Sequence, residues 1–518
     1  MKTDRYWSFA AAVTLVLCAP LAAFLVANRY PLLSTEVAVL VAGCVAAGAL
    51  AGLLGALALA AAVALAIDLL SAGTFGIPGL ALLALACFAS TWVLGRHGAP
   101  VAAAAAAVFI AASLFVPGAA MVHRVTAADG AKGDLPVVLH VILDEHIGID
   151  GLPKELRESE GFERWLTGSY LEHGFRVHAG AYSQYFLTRH SIANLLNFSA
   201  GEEAWPYLAE GRTKPYILTD SAYFRYLSAL GYRLHVYQSD YLDYCRVPGV
   251  TYAACSTYRA NTIGALHETT LDPLERGQFI LNSLLTTSAY LATADRVYAK
   301  LTGTIWERPV SRVGPLPVLP VLKELESDLR AARRGHAYFA HLLIPHYPYV
   351  LDASCRVREE IEGWLSNVPA DAAHYHAVQN SAASRAERYV RYFEQVRCQQ
   401  AWLGRLFDAM KQARVWRDAI VVLHGDHGSR IVQNMPSAAN AARLTREDFN
   451  DAFSTLFAVR APGVEAGVVH GERPLQELLG EAFSLPVARL SPKVFLPAEE
   501  GRPLAPRDIA LFRRGDAH

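Results

Sequence analysis

The first 120 residues of the chain carry almost no charge. Between Tyr6 and His123, the charged side chains are limited to Arg29, Glu36, Asp68 and Arg96. A helix needs about 20 apolar residues to cross the hydrocarbon core of a bilayer. Apolar segments of that order run over Phe9 to Asn28, Val37 to Leu70 (enough for two spans), Gly79 to Leu94 and Val101 to Pro117. No polar face recurs in them, so we predict a bundle of about five transmembrane helices over residues 1–120.

The few basic residues indicate how this bundle is oriented. Lys2 and Arg5 precede the first segment, and Arg96 and His97 lie between the last two. Basic residues next to spans stay in the cytoplasm, so five spans with a cytoplasmic N-terminus place everything after Pro117 outside. Four spans would return the rest of the chain to the cytoplasm. A cleaved signal peptide is the alternative for the first segment, but four further segments follow it. We predict a multi-pass protein of a bacterial inner (cytoplasmic) membrane with a periplasmic catalytic domain.

Cysteine usage agrees with a domain outside the cytoplasm. The part of the chain after the spans holds four cysteines, an even number, as disulfide-bonded domains do. We favour Cys245 with Cys255 and Cys355 with Cys398, although four cysteines allow three connectivities and four buried free thiols are the alternative. The net charge of −1 gives no indication of a nucleic-acid partner.

The later part of the chain has the pattern of an α/β domain. Mostly apolar runs of strand length occur at Pro136 to Leu143, Tyr338 to Ile344 and Ala419 to Leu423, with Phe453 to Val459 as a further candidate. Helical patterns lie between them, most clearly over Ala383 to Arg414, so we predict a doubly wound fold with a mainly parallel central sheet. The predicted divisions are a linker (121–135), a catalytic domain (136–495) with a helical insertion near the membrane (266–301), and a C-terminal tail (496–518).

Polar residues follow three of these strands directly. The first strand ends in Asp144 and Glu145, the second runs through His341 to His346, and the third ends in Gly425-Asp426-His427-Gly428. Ligands bind beyond the carboxyl ends of the strands in such sheets, and carboxylate and imidazole groups together suit a divalent cation such as zinc or manganese. Taken singly, the acidic pair could cap a helix, the Asp-His-Gly could be a turn and His341 could be a core histidine. Their order along the chain favours a metal site for one or two ions.

These motifs resemble the sulfatase-like branch of the alkaline phosphatase superfamily from Pro136 to about Leu490. The resemblance implies that Asp144, Glu145, Asp426 and His427 are metal ligands. It also assigns the nucleophile to Thr188, in a stretch similar to the sulfatase signature Cys-x-Pro-x-Arg, and there Thr188 would coordinate the cation as well. Thr replaces the Cys of that signature, His190 its Pro and Ile192 its Arg, so the formylglycine of ordinary sulfatases cannot form at this position.

Threonine is the nucleophile in the phosphoethanolamine transferases and lipoteichoic acid synthases, and this chain looks like them in its predicted five N-terminal spans. The spacing from His341 to Pro348 is similar to a His-x-x-x-x-His-x-Pro element of the phosphoethanolamine transferases. By that resemblance His341 and His346 are catalytic and contact the transferred phosphate or a second metal, and Arg189 also contacts the substrate. The implied activity is transfer of a phosphoethanolamine or phosphoglycerol headgroup from a membrane phospholipid to an envelope glycan or lipid, through a phospho-threonine. A phosphoric or sulfuric ester hydrolase and a non-catalytic lipid-sensing envelope protein are the alternatives.

Overall fold

The described elements up to Leu114 are all helices, and strands and helices are interspersed after that. The computed structural model describes residues 2–71, 76–94, 97–115, 122–126, 133–202, 205–209, 215–260, 262–286, 288–302, 313–359, 364, 382–498 and 503–508. Its helices are α1 (Lys2–Ala27), α2 (Thr35–Gly52), α3 (Ala56–Leu70), α4 (Gly76–Leu94), α5 (Gly98–Leu114), α6 (Ser159–Leu171), α7 (Thr188–Leu195), α8 (Ala222–Leu230), α9 (Pro273–Leu285), α10 (Ala289–Thr302), α11 (Val318–Arg330), α12 (Ala382–Gln412), α13 (Arg446–Phe453) and α14 (Leu475–Ala482). The strands are β1 (Val122–Thr126), β2 (Val138–Leu143), β3 (Arg176–His178), β4 (Ala181–Tyr182), β5 (Tyr216–Ile217), β6 (Arg233–Ser239), β7 (Leu242–Asp243), β8 (Tyr252–Tyr258), β9 (His336–Leu342), β10 (Ile420–His424), β11 (Phe457–Arg460), β12 (Gly467–Val469), β13 (Arg473–Pro474), β14 (Lys493–Leu496) and β15 (Ala505–Asp508).

The chain divides into two structural units. The first, the helical unit, comprises Met1–Met121, Thr262–Val313 and Arg358–Gly363. The second, the sheet unit, comprises Val122–Asn261, Gly314–Val357 and Trp364–His518. The predicted insertion thus groups with the N-terminal helices, although it interrupts the sequence of the sheet unit.

In the helical unit, α1 packs against α2, α3 and α5. Small residues allow close approach: a Cβ on Gly48 of α2 would lie 2.1 Å from Thr14 Oγ1 of α1. Two helical segments, Asp4–Ala27 and Thr35–Gly52, are long and apolar enough to cross a membrane, whereas Ala56–Leu70, Ala81–Leu94 and Gly98–Leu114 are apolar but shorter. The count of about five spans therefore stays a prediction. Arg96, one of the residues used for orientation, lies outside the described residues.

The insertion forms a short 3-10 helix over Ile263–Glu268, followed by α9 and α10. Helix α9 begins with Pro273 and a capping box in which Asp272 and Glu275 satisfy each other's backbone N–H groups. It packs against α2, and α10 packs against α3 and α4. The segment predicted as an insertion is thus helical over Pro273–Leu285 and Ala289–Thr302, and its partners within the helical unit are the N-terminal helices.

In the described part of the sheet unit, nine strands form one sheet with the order β1-β8-β6-β9-β2-β10-β11-β3-β12. Five pairings are parallel and three are antiparallel, so the sheet is mixed but mainly parallel, as predicted. The three runs that end in polar residues are β2, β9 and β10, adjacent and parallel at the centre. Every residue of β2 and β9 is buried, which explains their mostly apolar sequence.

Parts of the predicted linker and tail belong to this fold. Val122–Thr126 forms the edge strand β1, antiparallel to β8, and Arg124 on it pairs with Glu324 and Asp328. Ala505–Asp508, in the predicted tail, pairs with β14. Strand β1 pairs with a strand that is distant in sequence, and no local sequence pattern predicts such a pairing.

The two disulfide bonds have the connectivity that the sequence analysis favours. Cys245 is bonded to Cys255 with an S–S distance of 2.08 Å, and Cys355 to Cys398 with 2.06 Å. The first joins the segment after β7 to β8, and the second joins the loop after β9 to α12.

Candidate metal centre

Three adjacent strands bring the predicted ligands to one edge of the sheet. In the register of the sheet, Ile142 of β2 lies beside His341 of β9 and beside His424 of β10. Asp144 and Asp426 each follow two residues later, so their carboxylates extend from neighbouring strands at the same level. The parallel register, rather than proximity in sequence, therefore creates the centre.

The first group of candidate ligands is Asp144, Asp426 and His427. One donor atom from each lies within 4.8 Å of the others, and all three residues are buried. His427 Nε2 is 3.0 Å from Asp426 Oδ2 and 3.9 Å from Asp144 Oδ1. A larger residue would clash at Gly425 of this motif, because a Cβ there would lie 2.5 Å from the carbonyl oxygen of His146. The glycine thus allows two backbone segments to approach closely, and Asp426 and His427 lie beside Asp144 as a result.

The predicted nucleophile borders this group. Thr188 is the first residue of α7 and is 5% exposed, and its Oγ1 lies 3.2 Å from His427 Nε2. Three residues further along α7, Ser191 donates from Oγ to the backbone oxygen of Asp426 at 2.5 Å. This bond ties the helix that carries Thr188 to the loop that carries the candidate ligands.

The second group is Asp144, Glu145 and His346, which shares Asp144 with the first. Glu145 has φ of 66°, a left-handed conformation that is uncommon for residues with a side chain and that is concentrated at functional sites. The strain is held by hydrogen bonds: the backbone N–H of Glu145 donates to Asp426 Oδ1, and Tyr392 donates to the backbone oxygen of Glu145. Its side chain accepts from the backbone N–H of Tyr347 at 3.2 Å.

The histidine contacts indicate where the ring protons are. His427 Nδ1 lies 3.0 Å from the carbonyl oxygen of Gly428, and His346 Nδ1 contacts that of Tyr347. A carbonyl oxygen only accepts hydrogen bonds, so each Nδ1 carries the proton and each Nε2 presents a lone pair. His427 Nε2 then faces Asp426 Oδ2 at 3.0 Å, and His346 Nε2 faces Glu145 Oε1 at 3.5 Å. Two lone pairs at such distances repel unless a proton or a cation lies between them.

The carboxylates of the candidate ligands would likewise be stabilised by a positive charge. Within the described residues, Asp144 Oδ1, Glu145 Oε1 and Asp426 Oδ2 are buried and have no hydrogen-bond partner. Burial, together with the charges of Asp144 and Asp426, raises the pKa of Glu145 well above its usual value. Buried oxygen atoms without partners, together with imidazole nitrogens, are the donor set of a divalent zinc or manganese site. The residues therefore fit the cation that the motifs imply.

His341 has a different position from the one expected of a group that touches substrate. Its side chain is fully buried; Nε2 lies 3.1 Å from Asp144 Oδ2, and Nδ1 lies 2.9 Å from the hydroxyl of Tyr244. Both ring nitrogens thus contact protein groups, and the ring orients Asp144. Tyr244 was missed by sequence reasoning, because it lies almost a hundred residues before His341 and stands in no motif.

Arg430 is the second residue that the sequence analysis did not place in the site. Its Nη1 lies 3.5 Å from Glu145 Oε1, and its Nη2 donates to the backbone oxygen of Phe186 at 2.9 Å. Burial alone would lower the pKa of Arg430, but Glu145, Asp144 and Asp426 raise it. Its one signal in the sequence was its place just after the Asp-His-Gly motif. The guanidinium of Arg189 lies over the ring of Tyr216, 5.4 Å from the centroid, and its Nη1 donates to the Tyr216 hydroxyl at 3.4 Å.

Comparison with known proteins gives structural likeness without close relatives. No family model and no curated protein matches the chain. Among solved structures, the C-terminal periplasmic domain of EcEptC from Escherichia coli is 12% identical, covers 76% of this chain and 97% of its own length, and gives a TM-score of 0.41. The 2-O GAG sulfatase BT1596 is 13% identical, with coverages of 68% and 72% and a TM-score of 0.41. The phosphonate monoester hydrolase of Agrobacterium radiobacter is 13% identical, with coverages of 68% and 74% and a TM-score of 0.39.

These solved proteins include a sulfatase, the kind of enzyme that the sequence motifs resemble. The EcEptC domain has also been solved in complex with Zn. At these identities and scores the likeness carries no conclusion about chemistry, which depends on the centre described above.

Proposed function

We propose that this chain is a metal-dependent transferase that moves a phosphoethanolamine or phosphoglycerol type of headgroup from a membrane phospholipid to an envelope glycan or lipid. The observation that carries the proposal is the position of Thr188. Its hydroxyl lies at the start of α7, 3.2 Å from His427 Nε2, and borders the cluster of Asp144, Asp426 and His427. A buried hydroxyl at a helix N-terminus beside a cation site is the arrangement that a phosphoryl-transfer nucleophile requires.

Asp144, Asp426, His427 and Thr188 would hold a divalent ion, zinc or manganese, and Asp144, Glu145 and His346 offer ligands for a second. When bound, such a cation lowers the pKa of a neighbouring hydroxyl and neutralises charge on phosphoryl oxygens. The chain's own residues perform the remaining tasks. Asp144 is oriented by His341, and α7 is held in register by the bond from Ser191 to Asp426.

The proposed reaction has two displacements at phosphorus. In the first, Thr188 Oγ forms a bond to phosphorus while the bond to the diacylglycerol oxygen breaks, which leaves a phospho-threonine and a free alcohol. The proton lost by Thr188 passes to the leaving oxygen, and with one ion held by Asp144, Asp426 and His427 we assign its transport to His346, whose Nε2 then keeps its lone pair. In the second, an acceptor hydroxyl attacks the phosphorus, its proton returns to Thr188 by the same path, and the bond between phosphorus and Thr188 breaks.

The membrane anchor is part of the proposal. Two helices long and apolar enough to span a bilayer, and three shorter apolar ones, support a multi-pass anchor of about five spans in the bacterial inner membrane. With the predicted orientation the catalytic domain is periplasmic, and the anchor keeps it at the surface where lipid headgroups are presented. Two disulfide bonds suit that compartment.

The test is the mass of the peptide that contains Thr188 after the purified protein has been incubated with phospholipid. We expect an added mass equal to one phospho-headgroup, and the size of that mass names the group transferred. Consumption of phospholipid only when an acceptor is added supports a transferase. Consumption without acceptor would indicate a hydrolase, and absence of both turnover and stoichiometric metal would indicate a non-catalytic, lipid-sensing protein.

A further inference from the structure

The insertion contacts three of the N-terminal helices at residues that share one end of the predicted bundle. The backbone N–H of Ile263 donates to Asn28 Oδ1 just after α1, and Arg276 pairs with Glu36 in the first turn of α2. Asp68, in the last turn of α3, accepts from Ser288 Oγ at 2.6 Å. In a bundle whose consecutive helices alternate in direction, the end of α1, the start of α2 and the end of α3 lie on the same side. The insertion therefore covers one end of the spans.

The buried acidic residues of the spans have a structural role in this contact. Asp68 is fully buried and accepts the backbone N–H groups of Ala289 and Tyr290, which are the free donors of the first turn of α10. A carboxylate at a helix N-terminus also faces the positive end of the helix dipole. Glu36 is 1% exposed and is paired with Arg276 and with the hydroxyl of Tyr30. Both helices of the insertion are thus fixed to the ends of spans.

The outer faces of these two helices are apolar and exposed. On α10, Ala294, Val297, Tyr298 and Leu301 follow one another at the spacing of a single helix face, and Val297 is 51%, Tyr298 41% and Leu301 80% exposed. On α9, Leu274 and Leu281 lie two turns apart and are 67% and 40% exposed. We call these six residues the apolar stripe.

We propose that the apolar stripe inserts into the outer surface of the phospholipid bilayer, so that α9 and α10 lie in the interface between headgroups and acyl chains. This inference rests on the membrane placement in the proposed function, and not on its chemistry. Continuity supports lipid as the occupant: α9 packs on α2, whose own exposed side chains include Val39, Val41 and Val45. The stripe continues that lipid-facing surface at the level where the spans end.

The residue types on α10 also suit a position in the interface between headgroups and acyl chains. Tyr298 has an apolar ring and a polar hydroxyl, the combination that is enriched where headgroups meet acyl chains. Lys300 is exposed next to the stripe and can extend its ammonium group to anionic headgroups while its methylenes cover apolar surface. A helix of this kind binds in the plane of the membrane rather than across it.

The experiment places a tryptophan on the stripe. Leu301→Trp is compared with the wild-type protein in nanodiscs of phosphatidylcholine with and without bromine on the upper part of the acyl chains. We expect the emission added by the new tryptophan to fall at least twofold in the brominated lipid. Leu230→Trp is the matched control, because Leu230 is an exposed leucine (40%) at the end of a helix of the sheet unit, and its added emission should not change.

The native tryptophans separate failure of this inference from failure of the membrane placement. Trp7 of α1 and Trp92 of α4 are 62% and 75% exposed, so brominated lipid should quench part of the wild-type emission. If the wild-type protein shows no quenching, the predicted spans are wrong. If it does, but the Leu301→Trp emission is unaffected, the interfacial position of α10 is wrong. The same unaffected emission in a dimeric sample would assign the stripe to a second copy of the chain, which also overturns the proposal.

Discussion

Thr188 allows a specific prediction, because its hydroxyl contributes little to stability, whereas the proposed reaction requires it. The residue is 5% exposed, and its one described side-chain hydrogen bond is to His427. Thr188→Ala removes that bond, worth about 1 kcal/mol, and a buried methyl, worth about 0.8 kcal/mol. We therefore expect a loss of about 2 kcal/mol in the free energy of unfolding, with the fold retained.

The expected effect of the same substitution on turnover is far larger. Loss of a nucleophile in a covalent mechanism lowers kcat by about 10⁴-fold to 10⁶-fold, which corresponds to roughly 5 to 8 kcal/mol of activation free energy. Thr188→Ser restores the hydroxyl and lacks only the methyl, so its stability should lie within about 1 kcal/mol of that of Thr188→Ala. Its activity, however, should lie within about tenfold of the wild-type value.

The assay is release of diacylglycerol from phospholipid, measured beside chemical denaturation of each variant. Ser191→Ala serves as a control for the position of the nucleophile, since Ser191 is also buried on α7 but its hydroxyl is bonded to the backbone of Asp426. We expect a modest loss of activity there and an unchanged peptide mass shift at Thr188. Thr188→Ala with wild-type activity, or Thr188→Ser as inactive as Thr188→Ala, would refute the assignment.

Three further predictions concern the centre itself. Asp426→Ala removes a carboxylate that is a candidate metal ligand and that also accepts a hydrogen bond from the backbone N–H of Glu145. The bound metal, measured by mass spectrometry, should therefore fall from stoichiometric to background. A full complement of metal would contradict the role of Asp426 as a ligand. Burial and the neighbouring carboxylates raise the pKa of Glu145, and below that raised pKa metal binding must release a proton from it. Metal affinity, measured by chelator competition, should therefore rise about tenfold per pH unit below that raised pKa, and an affinity independent of pH would count against Glu145 as a ligand. Tyr244→Phe removes the hydroxyl that lies 2.9 Å from His341 Nδ1, and we expect kcat to fall about tenfold while metal content is retained; loss of the metal would show that the tyrosine acts on folding of the site instead.

The strands and the polar residues at their ends were predictable, because a strand that is buried on both faces has a recognisable, mostly apolar sequence. An apolar run such as β2 or β10 that stops at a carboxylate can be recognised without knowledge of its neighbours. The disulfide connectivity was also within reach, since each bond joins the nearer partner in sequence. The long helix α12 was predicted over Ala383 to Arg414 and is observed over Ala382–Gln412.

What escaped prediction depends on contacts that no local pattern encodes. Tyr244 and Arg430 reach the centre only because the chain folds back on itself, and Arg430 does so from a left-handed backbone conformation (φ 57°) that its own sequence gives no reason to expect. Strand β1 lies in a stretch whose polarity is that of a linker, and its place at the sheet edge depends on β8. The number of spans is likewise not fixed by local pattern, because α3 has 15 residues and α5 has 17, fewer than a straight crossing of the bilayer takes.

The candidate ligands come from opposite ends of the catalytic sequence: Glu145 and Asp426, joined by a backbone hydrogen bond, are separated by 281 residues. No fragment of a growing chain therefore carries a complete site before β10 has been synthesised and paired with β2. If the domain is translocated unfolded, metal loading must wait until folding in the destination compartment. The protein would then acquire whichever divalent ion is supplied there, and the identity of its metal would report the place of folding as well as the preference of the ligands.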